Sequence, residues 1–430
     1  MTSGNSLTRW ILIALVLAIA SGLILRALGV DTATWIEVCG MVTTLFLRLI
    51  KMVIAPLVFA TLVVGIAKMG EVESVGRIGL KAMTWFIGAS LVSLTLGLVL
   101  VNFFQPGVNL NIELPDAAAA SGVTSTSLSF QEFIVHLVPT SIVDGMAKNE
   151  ILQIVVFSVF FGIGCAAVGK QSTVLVDALE GVSYVMLKVT MMVMWFAPFA
   201  VYAAVSSAIA KSGLEVIAVY GTFMAEFYLS IVILWGVLFT AAYLVLRGRA
   251  VGLFKAVQEP VLLAFATTSS EAAYPKTLAQ LEKFGCSNRV SSFVLPLGYS
   301  FNLDGSMMYC TFATLFIAQA YGIELSAGQQ ITMLLILMVT SKGMAGVPRA
   351  SLVVIAATLA QFNIPEAGLL LLLGVDHFLD MARSATNVIG NSVASAVVSK
   401  WEGQLREENT EDPELKAVLE TGVPIHKEHG

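Results

Sequence analysis

Apolar stretches long enough to cross a lipid bilayer recur along the first 250 residues. They lie at 10–28, 40–69, 80–104, 151–169, 174–209 and 215–246. A transmembrane helix needs about 20 mostly apolar residues, so this pattern predicts six membrane helices. The stretch at 10–28 is too long for the core of a signal peptide, and no small-residue cleavage site stands out, so we interpret it as a retained first helix.

After residue 250 each long apolar segment is interrupted near its middle. The segment 252–284 is broken by Thr-Thr-Ser-Ser-Glu at 267–271, and 325–362 by Ser-Lys-Gly-Met-Ala-Gly-Val-Pro at 341–348. Each half is too short to span a bilayer, so we predict two re-entrant helical hairpins whose tips lie against protein or water. Longer helices follow them, at 290–319 (interrupted at 302–306) and 365–402. Because hairpin and helix occur twice, the pattern predicts an inverted repeat with a site near the membrane midplane.

The basic residues are unevenly distributed between the loops. The loop 105–147 contains no Lys or Arg, whereas 247–255 contains Arg247, Arg249 and Lys255. Cytoplasmic loops carry the excess of Lys and Arg, so we predict that both termini are cytoplasmic and that the two hairpins enter from opposite faces. The polar, acidic segment 403–430 is typical of a disordered tail.

Composition supports a membrane-embedded chain. Hydrophobic residues make up 57% and charged residues 12% of the 430 residues, against about 25% charged residues in a typical soluble domain. The net charge of −5 argues against nucleic-acid binding. The four cysteines have no CxxC spacing, so we predict no cysteine metal site.

The last helix carries a polar stripe. At about 100° per residue, Asp376, Asp380, Arg383, Asn387 and Asn391 fall on one face. A charge at the bilayer centre costs about 2.5–3.5 kcal/mol, so these groups need partners, water or a ligand. A ligand site is favoured, with a purely structural Asp–Arg pair as the alternative.

The polar hairpin tip at 267–271 has two interpretations. Ser and Thr at a helix break commonly cap free N–H groups. Two helix N-termini aimed at one point would also form an anion site. Glu271 could either cap the helix that follows or take part in proton coupling.

Five motifs occur in an order that resembles the dicarboxylate/amino acid:cation symporter family, which includes archaeal aspartate and mammalian glutamate transporters. They are Arg48-Leu-Ile-Lys-Met-Val-Ile-Ala-Pro-Leu-Val-Phe59, Ser269-Ser270-Glu271, Asn302-Leu-Asp-Gly-Ser306, Gly343-Met-Ala-Gly-Val-Pro348 and Asp376–Asn391. The match extends to about residue 402.

The resemblance implies an all-α polytopic membrane protein with eight transmembrane helices, two re-entrant hairpins and an elevator-type mechanism. Residues 1–250 would form six helices, mostly a trimerisation scaffold, with helices 3 and 6 joining the transport domain. Residues 251–402 would form the transport core of hairpin 1, helix 7, hairpin 2 and helix 8. A homotrimer in the cell inner membrane is expected, with no enzymatic activity. An ion channel and an intramembrane protease, the latter suggested by His377 beside Asp376 and Asp380, are the other classes considered.

The resemblance also assigns substrate contacts. Arg383 matches the arginine that binds a side-chain carboxylate, Asp380 the aspartate that holds the α-amino group, and Asn387 the asparagine that bonds the α-carboxylate. Together they favour glutamate or aspartate over succinate or malate. The other matching positions are Ser384, Ser269, Ser270, Ala345, Gly346 and Val347.

Coupling is predicted from departures from the sodium-dependent pattern. Asn391 stands where sodium-coupled relatives have an aspartate, and Phe86 and Ala89 replace oxygen ligands. Hard cations need several oxygens, so we predict protons rather than sodium as the coupling ion, and neither a metal nor an organic cofactor. Ser90, Asn302, Asp304 and Asn391 would form the degenerate cation sites, with Lys342 supplying part of the missing charge. Glu271, Asp304 and Asp380 are the candidate proton carriers.

Overall fold

In the computed structural model, the described residues are 4–28, 32–67, 72–108, 138–212, 215–341, 350–373 and 375–406, together with 114 and 135. Within these ranges the secondary structure is helical, apart from one β-bridge between Cys286 and Leu405. The acidic tail predicted for 403–430 lies outside the described residues from 407 onward.

The N-terminal part consists of long helices. They are α1 (Gly4–Ala27), α2 (Ala33–Ala67), α3 (Val72–Phe104), α4 (Ile142–Lys148), α5 (Ile151–Val168), α6 (Thr173–Met194), α7 (Ala197–Ser212) and α8 (Glu215–Leu246). The apolar stretch 174–209 is thus two helices rather than one. Pro198 explains the division, because proline has no backbone N–H to donate into a preceding helical turn.

The C-terminal part consists of shorter helices. They are α9 (Arg249–Ala256), α10 (Gln258–Thr267), α11 (Tyr274–Phe284), α12 (Asn288–Phe301), α13 (Asp304–Ala320), α14 (Ala327–Thr340), α15 (Ala350–Gln361), α16 (Leu369–Leu373) and α17 (Asp376–Trp401). The breaks predicted at 267–271 and 302–306 are present between α10 and α11 and between α12 and α13. The second hairpin tip, with Lys342, Ala345, Gly346 and Val347, lies outside the described residues.

Five helical stretches of the described chain are long and apolar enough to cross a membrane. They are Arg9–Ala27, Ala33–Ala67, Val75–Phe104, Ile151–Met194 and Tyr220–Leu246. In addition, α9 and α10 form a candidate span that is bent by 42° at Val257. Length and composition therefore identify a multi-pass membrane protein.

Helix α17 is the centre of the C-terminal part. It packs against α3, α8, α10, α12 and α13, and its residues from Leu379 to Ser399 are buried. Small side chains make this packing possible, because Gly, Ala and Ser let helix backbones approach closely. Its serines return hydrogen bonds to the helix itself, as Ser392 does to the Val388 carbonyl at 2.7 Å.

The end of α17 is held by a clasp of charged and backbone contacts. The Glu402 carboxylate, whose side chain is only 4% exposed, forms ion pairs with Arg77 at 3.0 Å and Lys81 at 2.6 Å. The chain then pairs with the loop after α11, where the Arg406 N–H donates to the Gly285 carbonyl at 2.8 Å. Arg249 donates to the Arg406 carbonyl at 2.6 Å. The clasp thereby ties α3, α9 and α11 to the end of α17.

Glu402→Gln should weaken this clasp at neutral pH. Burial opposes ionisation of Glu402, but hydrogen bonds and charge from Arg77 and Lys81 prevail and lower its pKa below the usual value of 4.5. A depressed carboxyl pKa stabilises the folded protein above its usual pKa and ceases to do so as the pH falls through the folded-state value.

We therefore expect a loss of about 1 kcal/mol at pH 7 that vanishes in strongly acidic solution. Thermal unfolding in detergent at pH 7 and below pH 4 measures both values. A destabilisation of equal size at both pH values would contradict the prediction. Lys148→Gln, which removes an exposed i,i+4 pair with Asp144, is the control with little expected effect.

Candidate functional site

The polar stripe of α17 is buried inside the protein. Asp376, Asp380, Arg383, Asn387 and Asn391 are each at most 2% exposed. Their helix packs against α3, α8, α10, α12 and α13, among others, so side chains from several helices can contact them. A buried charge is costly unless it is paired with an opposite charge and hydrogen-bonded, so each charged residue of the stripe needs such partners.

Asp380 and Arg383 form an ion pair within one turn of the helix. The Arg383 Nη2 and Nε groups lie 2.6 Å and 3.0 Å from Asp380 Oδ1, and the Ser384 hydroxyl donates to the same oxygen at 2.9 Å. The structural ion pair that the sequence left open as an alternative is therefore present. Arg383 Nη1 is buried and has no hydrogen-bond partner among the described residues. The guanidinium therefore has donor capacity that the Asp380 pair does not use.

Tyr309 and Asp376 support Arg383, although neither was assigned a role from the sequence. The Tyr309 hydroxyl donates to Asp376 Oδ1 at 3.0 Å, and the Arg383 guanidinium carbon lies 5.1 Å from the centre of the Tyr309 ring. A guanidinium over an aromatic face is attracted by the ring electrons. The sequence analysis placed Asp376 on the polar stripe, whereas no sequence signal linked Tyr309 to it.

Asn387 bonds to the first turn of α13 rather than to its own stripe. Its side-chain carbonyl accepts from the Ser306 backbone N–H at 3.2 Å, and its amide nitrogen donates to the Ser306 hydroxyl at 2.9 Å. Glycine at 305 permits this approach. A Cβ on Gly305 would contact the Arg383 carbonyl and would lie 2.8 Å from Thr386 Cβ.

Three of the four candidate cation residues, Asn302, Asp304 and Asn391, form one network of hydrogen bonds. The Asn302 amide nitrogen donates to Asp304 Oδ2 at 3.1 Å and to Asn391 Oδ1 at 3.2 Å. Ser93, which the sequence analysis did not single out, donates to Asp304 Oδ1 at 3.0 Å. Ser90 instead donates to the Phe301 carbonyl at 3.3 Å. Asp304 is the one carboxylate in these contacts, because position 391 carries a neutral amide.

Ser269 and Ser270 at the first hairpin tip have different surroundings. The Ser269 hydroxyl accepts from the Ala272 N–H at 3.3 Å, so it caps the short 3-10 helix Glu271–Ala273. The Ser270 hydroxyl is buried and has no hydrogen-bond partner in the part of the chain that the structure describes. Glu271 lines a cavity of about 10 Å³ with Tyr274, Tyr299, Ile54 and residues of α5 and α12.

Comparison with known proteins places these residues in a transporter context. A family model described as the sodium:dicarboxylate symporter family matches residues 7–401. A proton/sodium-glutamate symport protein of Geobacillus stearothermophilus is 40% identical over 93% of this chain and 95% of its own length. A proton/glutamate-aspartate symporter of Bacillus subtilis is 37% identical over 84% and 88%. A C4-dicarboxylate transport protein of a Geobacter species is 39% identical over 90% and 89%.

The glycine at 305 gives a test of the packing that builds the site. Gly305→Ala should destabilise the protein by about 1–3 kcal/mol, because a Cβ would overpack the contact between α13 and α17. Gly236→Ala on α8 is the matched control, since a Cβ there meets nothing within 4 Å. The control should be neutral or stabilising by about 0.5–1 kcal/mol. Thermal unfolding of both variants in detergent measures the difference, and equal midpoints would refute the packing argument.

Proposed function

The chain belongs to the sodium:dicarboxylate symporter family, and on that premise we propose that it is a secondary active symporter that imports glutamate and aspartate together with protons. It is a membrane transporter rather than an enzyme, which removes the protease alternative. The observation that carries the substrate assignment is the buried group of Asp380, Arg383 and Asn387.

Each part of an acidic amino acid has a complementary group in this arrangement. The Arg383 guanidinium would bind the side-chain carboxylate through donors that Asp380 does not use, since guanidinium and carboxylate form strong charge-assisted bonds. Asp380 would bind the α-amino group, with Ser384 holding the carboxylate in place. Asn387 would donate to the α-carboxylate. Ser269 and Ser270, with Ala345, Gly346 and Val347 of the second hairpin, are proposed as the surrounding tip groups.

The C4-dicarboxylate alternative rests on relatives with that name at a similar level of identity. A dicarboxylate such as succinate has no amino group. Its two carboxylates would bring negative charge close to the Asp380 carboxylate with no ammonium group to offset it, which is unfavourable in a buried site. Asp380 therefore favours an amino acid.

Charge balance supports coupling to a cation. Of the buried acidic side chains among the described residues, Glu259 forms an ion pair with Lys276, while Asp304, Asp376 and Asp380 accompany a single buried arginine, Arg383. An acidic amino acid would add a further net negative charge. Each further negative charge in the membrane interior is costly, so the entry of a cation with the substrate is favourable.

Protons meet this need better than sodium in this chain. Asn391 supplies an amide where a carboxylate would give a cation compensating charge, and Phe86 and Ala89 supply no oxygen. Burial favours the neutral form of a carboxyl group, so a carboxylate can carry the proton. The candidates are Glu271, Asp304 and Asp380.

The mechanism that we propose is an elevator in a homotrimer. Residues 251–402, with helices α3 and α8, would move as the transport core against a scaffold formed by the other N-terminal helices. The close packing of α17 with α3, α8, α10, α12 and α13 is compatible with one moving body. We further propose eight membrane helices, two re-entrant hairpins, an inner-membrane location and cytoplasmic termini.

Substrate competition tests the amino-acid assignment. Aspartate and glutamate should compete for uptake of labelled glutamate, whereas succinate should bind about 100-fold more weakly, because it lacks the ammonium–carboxylate hydrogen bond, and a hydrogen bond to a charged group is worth about 1.5–3 kcal/mol. Asp380→Asn should weaken aspartate binding and strengthen succinate binding, because it removes the negative charge that repels the dicarboxylate. If succinate competed as strongly as aspartate, the amino-acid assignment would be wrong and the protein would be a C4-dicarboxylate transporter.

Independent ion gradients test the coupling. In liposomes free of sodium and potassium, an inward proton gradient should drive accumulation of glutamate or aspartate. Asn391→Asp is the informative variant, since it restores a carboxylate, and its transport should become sensitive to sodium. Wild-type accumulation that needs added sodium and ignores the pH gradient would contradict proton coupling.

A further inference from the structure

Two of the three candidate proton carriers are held by hydrogen-bond donors. Asp380 accepts from the Arg383 Nη2 and Nε groups at 2.6 Å and 3.0 Å. Asp304 accepts from the Asn302 amide nitrogen at 3.1 Å and from the Ser93 hydroxyl at 3.0 Å. Such donors, and above all a guanidinium, stabilise the ionised form of a carboxyl group. Asp304 and Asp380 are therefore better suited to remain charged than to bind and release a proton.

Glu271, the third candidate, lies in a different environment. Its side chain is partly exposed, whereas Asp304 and Asp380 are at most 2% exposed, so a proton has easier access to Glu271. Helix capping at this tip is supplied by another residue, because the Ser269 hydroxyl accepts from the Ala272 N–H at 3.3 Å. Glu271 is thus available for a role other than the cap.

Glu271 also lines a small cavity with two tyrosines. Tyr274 and Tyr299 are 2% and 3% exposed, and neither phenol hydroxyl has a hydrogen-bond partner among the described residues. Thr61 and Thr277 lie beside them, but the threonine hydroxyls donate to carbonyls of their own helices, each at 2.8 Å. The cavity of about 10 Å³ accommodates about one water molecule. It therefore brings together a carboxyl group, two unsatisfied hydroxyls and room for water, which can pass a proton between them.

The walls of this cavity come from both parts of the chain. The short helix Glu271–Ala273 packs against α2, α10 and α11. The other lining residues carry no titratable group and are Ile54 and Val58 of α2, Ile151 of α5 and Pro296 of α12. On the hairpin arms, Glu259 and Lys276 are paired with each other at 2.9 Å. In the proposed elevator, α2 and α5 belong to the scaffold and the hairpin to the moving core, so movement would change the surroundings of Glu271.

We propose that Glu271 carries the coupling proton and that Tyr274 and Tyr299 line the place where the proton is gained and lost. This inference rests on the proposed function and names the residue through which its proton coupling operates. Ser269 and Ser270, the proposed tip groups of the substrate site, directly precede Glu271 in the chain. The negative charge of a bound acidic amino acid therefore favours the neutral form of Glu271. The proton comes from water on one side of the membrane and returns to water on the other.

Counting protons during binding tests the assignment. Calorimetry of aspartate binding in buffers of different ionisation enthalpy gives the number of protons taken up per aspartate bound. Glu271→Gln resembles the protonated carboxyl group, so it should still bind aspartate but take up about one proton fewer than wild type at neutral pH. Glu324→Gln, at an exposed glutamate, is the matched control with an unchanged number.

Three results would overturn the inference. They are an unchanged proton number in Glu271→Gln, loss of aspartate binding by a folded Glu271→Gln, and a lowered number in Asp304→Asn in its place. Failure of the proposed function would look different, because wild type would then bind no acidic amino acid or would take up no proton with it.

Transport assays separate proton carrying from a structural role. Exchange of internal for external aspartate returns the carrier loaded, whereas accumulation requires the carrier to return empty and without its proton. Glu271→Gln should therefore retain exchange, lose the pH dependence of exchange, and lose the accumulation that a proton gradient drives in wild type. A purely structural residue would lose exchange and accumulation alike, which would contradict the proposal.

Tyr299→Phe is measured in parallel, so that a folding defect of Glu271→Gln does not decide the result. This variant keeps the ring and removes a hydroxyl that can donate, directly or through water, to the ionised Glu271. Its exchange should therefore persist to higher pH than that of wild type. Tyr243→Phe on α8, where the side chain is 47% exposed, is the control and should keep the wild-type pH profile. An unshifted profile in Tyr299→Phe would count against the proposed site.

Discussion

The burial of charge along α17 is the constraint on which the rest of the structure depends. Asp380 and Arg383 lie together inside a ring of helices, where the local dielectric is low and water is scarce. Removing one member of such a pair leaves an uncompensated buried charge, which costs about 3–5 kcal/mol. The surrounding helices therefore have to deliver hydrogen bonds at defined points. Tyr309 of α13 does so for Asp376, whereas Ser384 bonds to Asp380 from within α17.

The breaks in the helices provide backbone N–H groups for further hydrogen bonds near the polar stripe. Each break exposes backbone N–H groups that would be unsatisfied in an apolar surrounding. The structure pairs them with side chains, as Ser269 does for Ala272 and Asn387 does for Ser306. A continuous helix at 302–303 would offer no such donors. Gly305 then allows the new helix end to touch α17. The polar side chains of α17 therefore provide the hydrogen-bond acceptors that the helix break at 302–303 requires.

The candidate cation residues of this chain are joined through one carboxylate and two amides. Asn302 bonds to both Asp304 and Asn391, so a neutral amide at 391 stands in place of a second carboxylate. Two adjacent carboxylates would repel each other and would need a cation between them. With one carboxylate that need is smaller, and Asn302 Oδ1 and Asn391 Nδ2 are left without a hydrogen-bond partner among the described residues. This difference offers a physical reason for the proton coupling that we propose in a family whose name refers to sodium.

The sequence by itself determined the membrane class, the polar stripe, the helix breaks at 267–271 and 302–306, and the family. These follow from hydropathy and helical periodicity, which are local properties, and from motifs in a fixed order. Tertiary structure alone decided the partners. Ser306 and Asn387 are 81 residues apart, and Ser93 and Asp304 are 211 residues apart. It also placed Glu271 in a cavity with Tyr274 and Tyr299. Periodicity states which residues share a face of one helix, but only the packing of helices determines what that face meets.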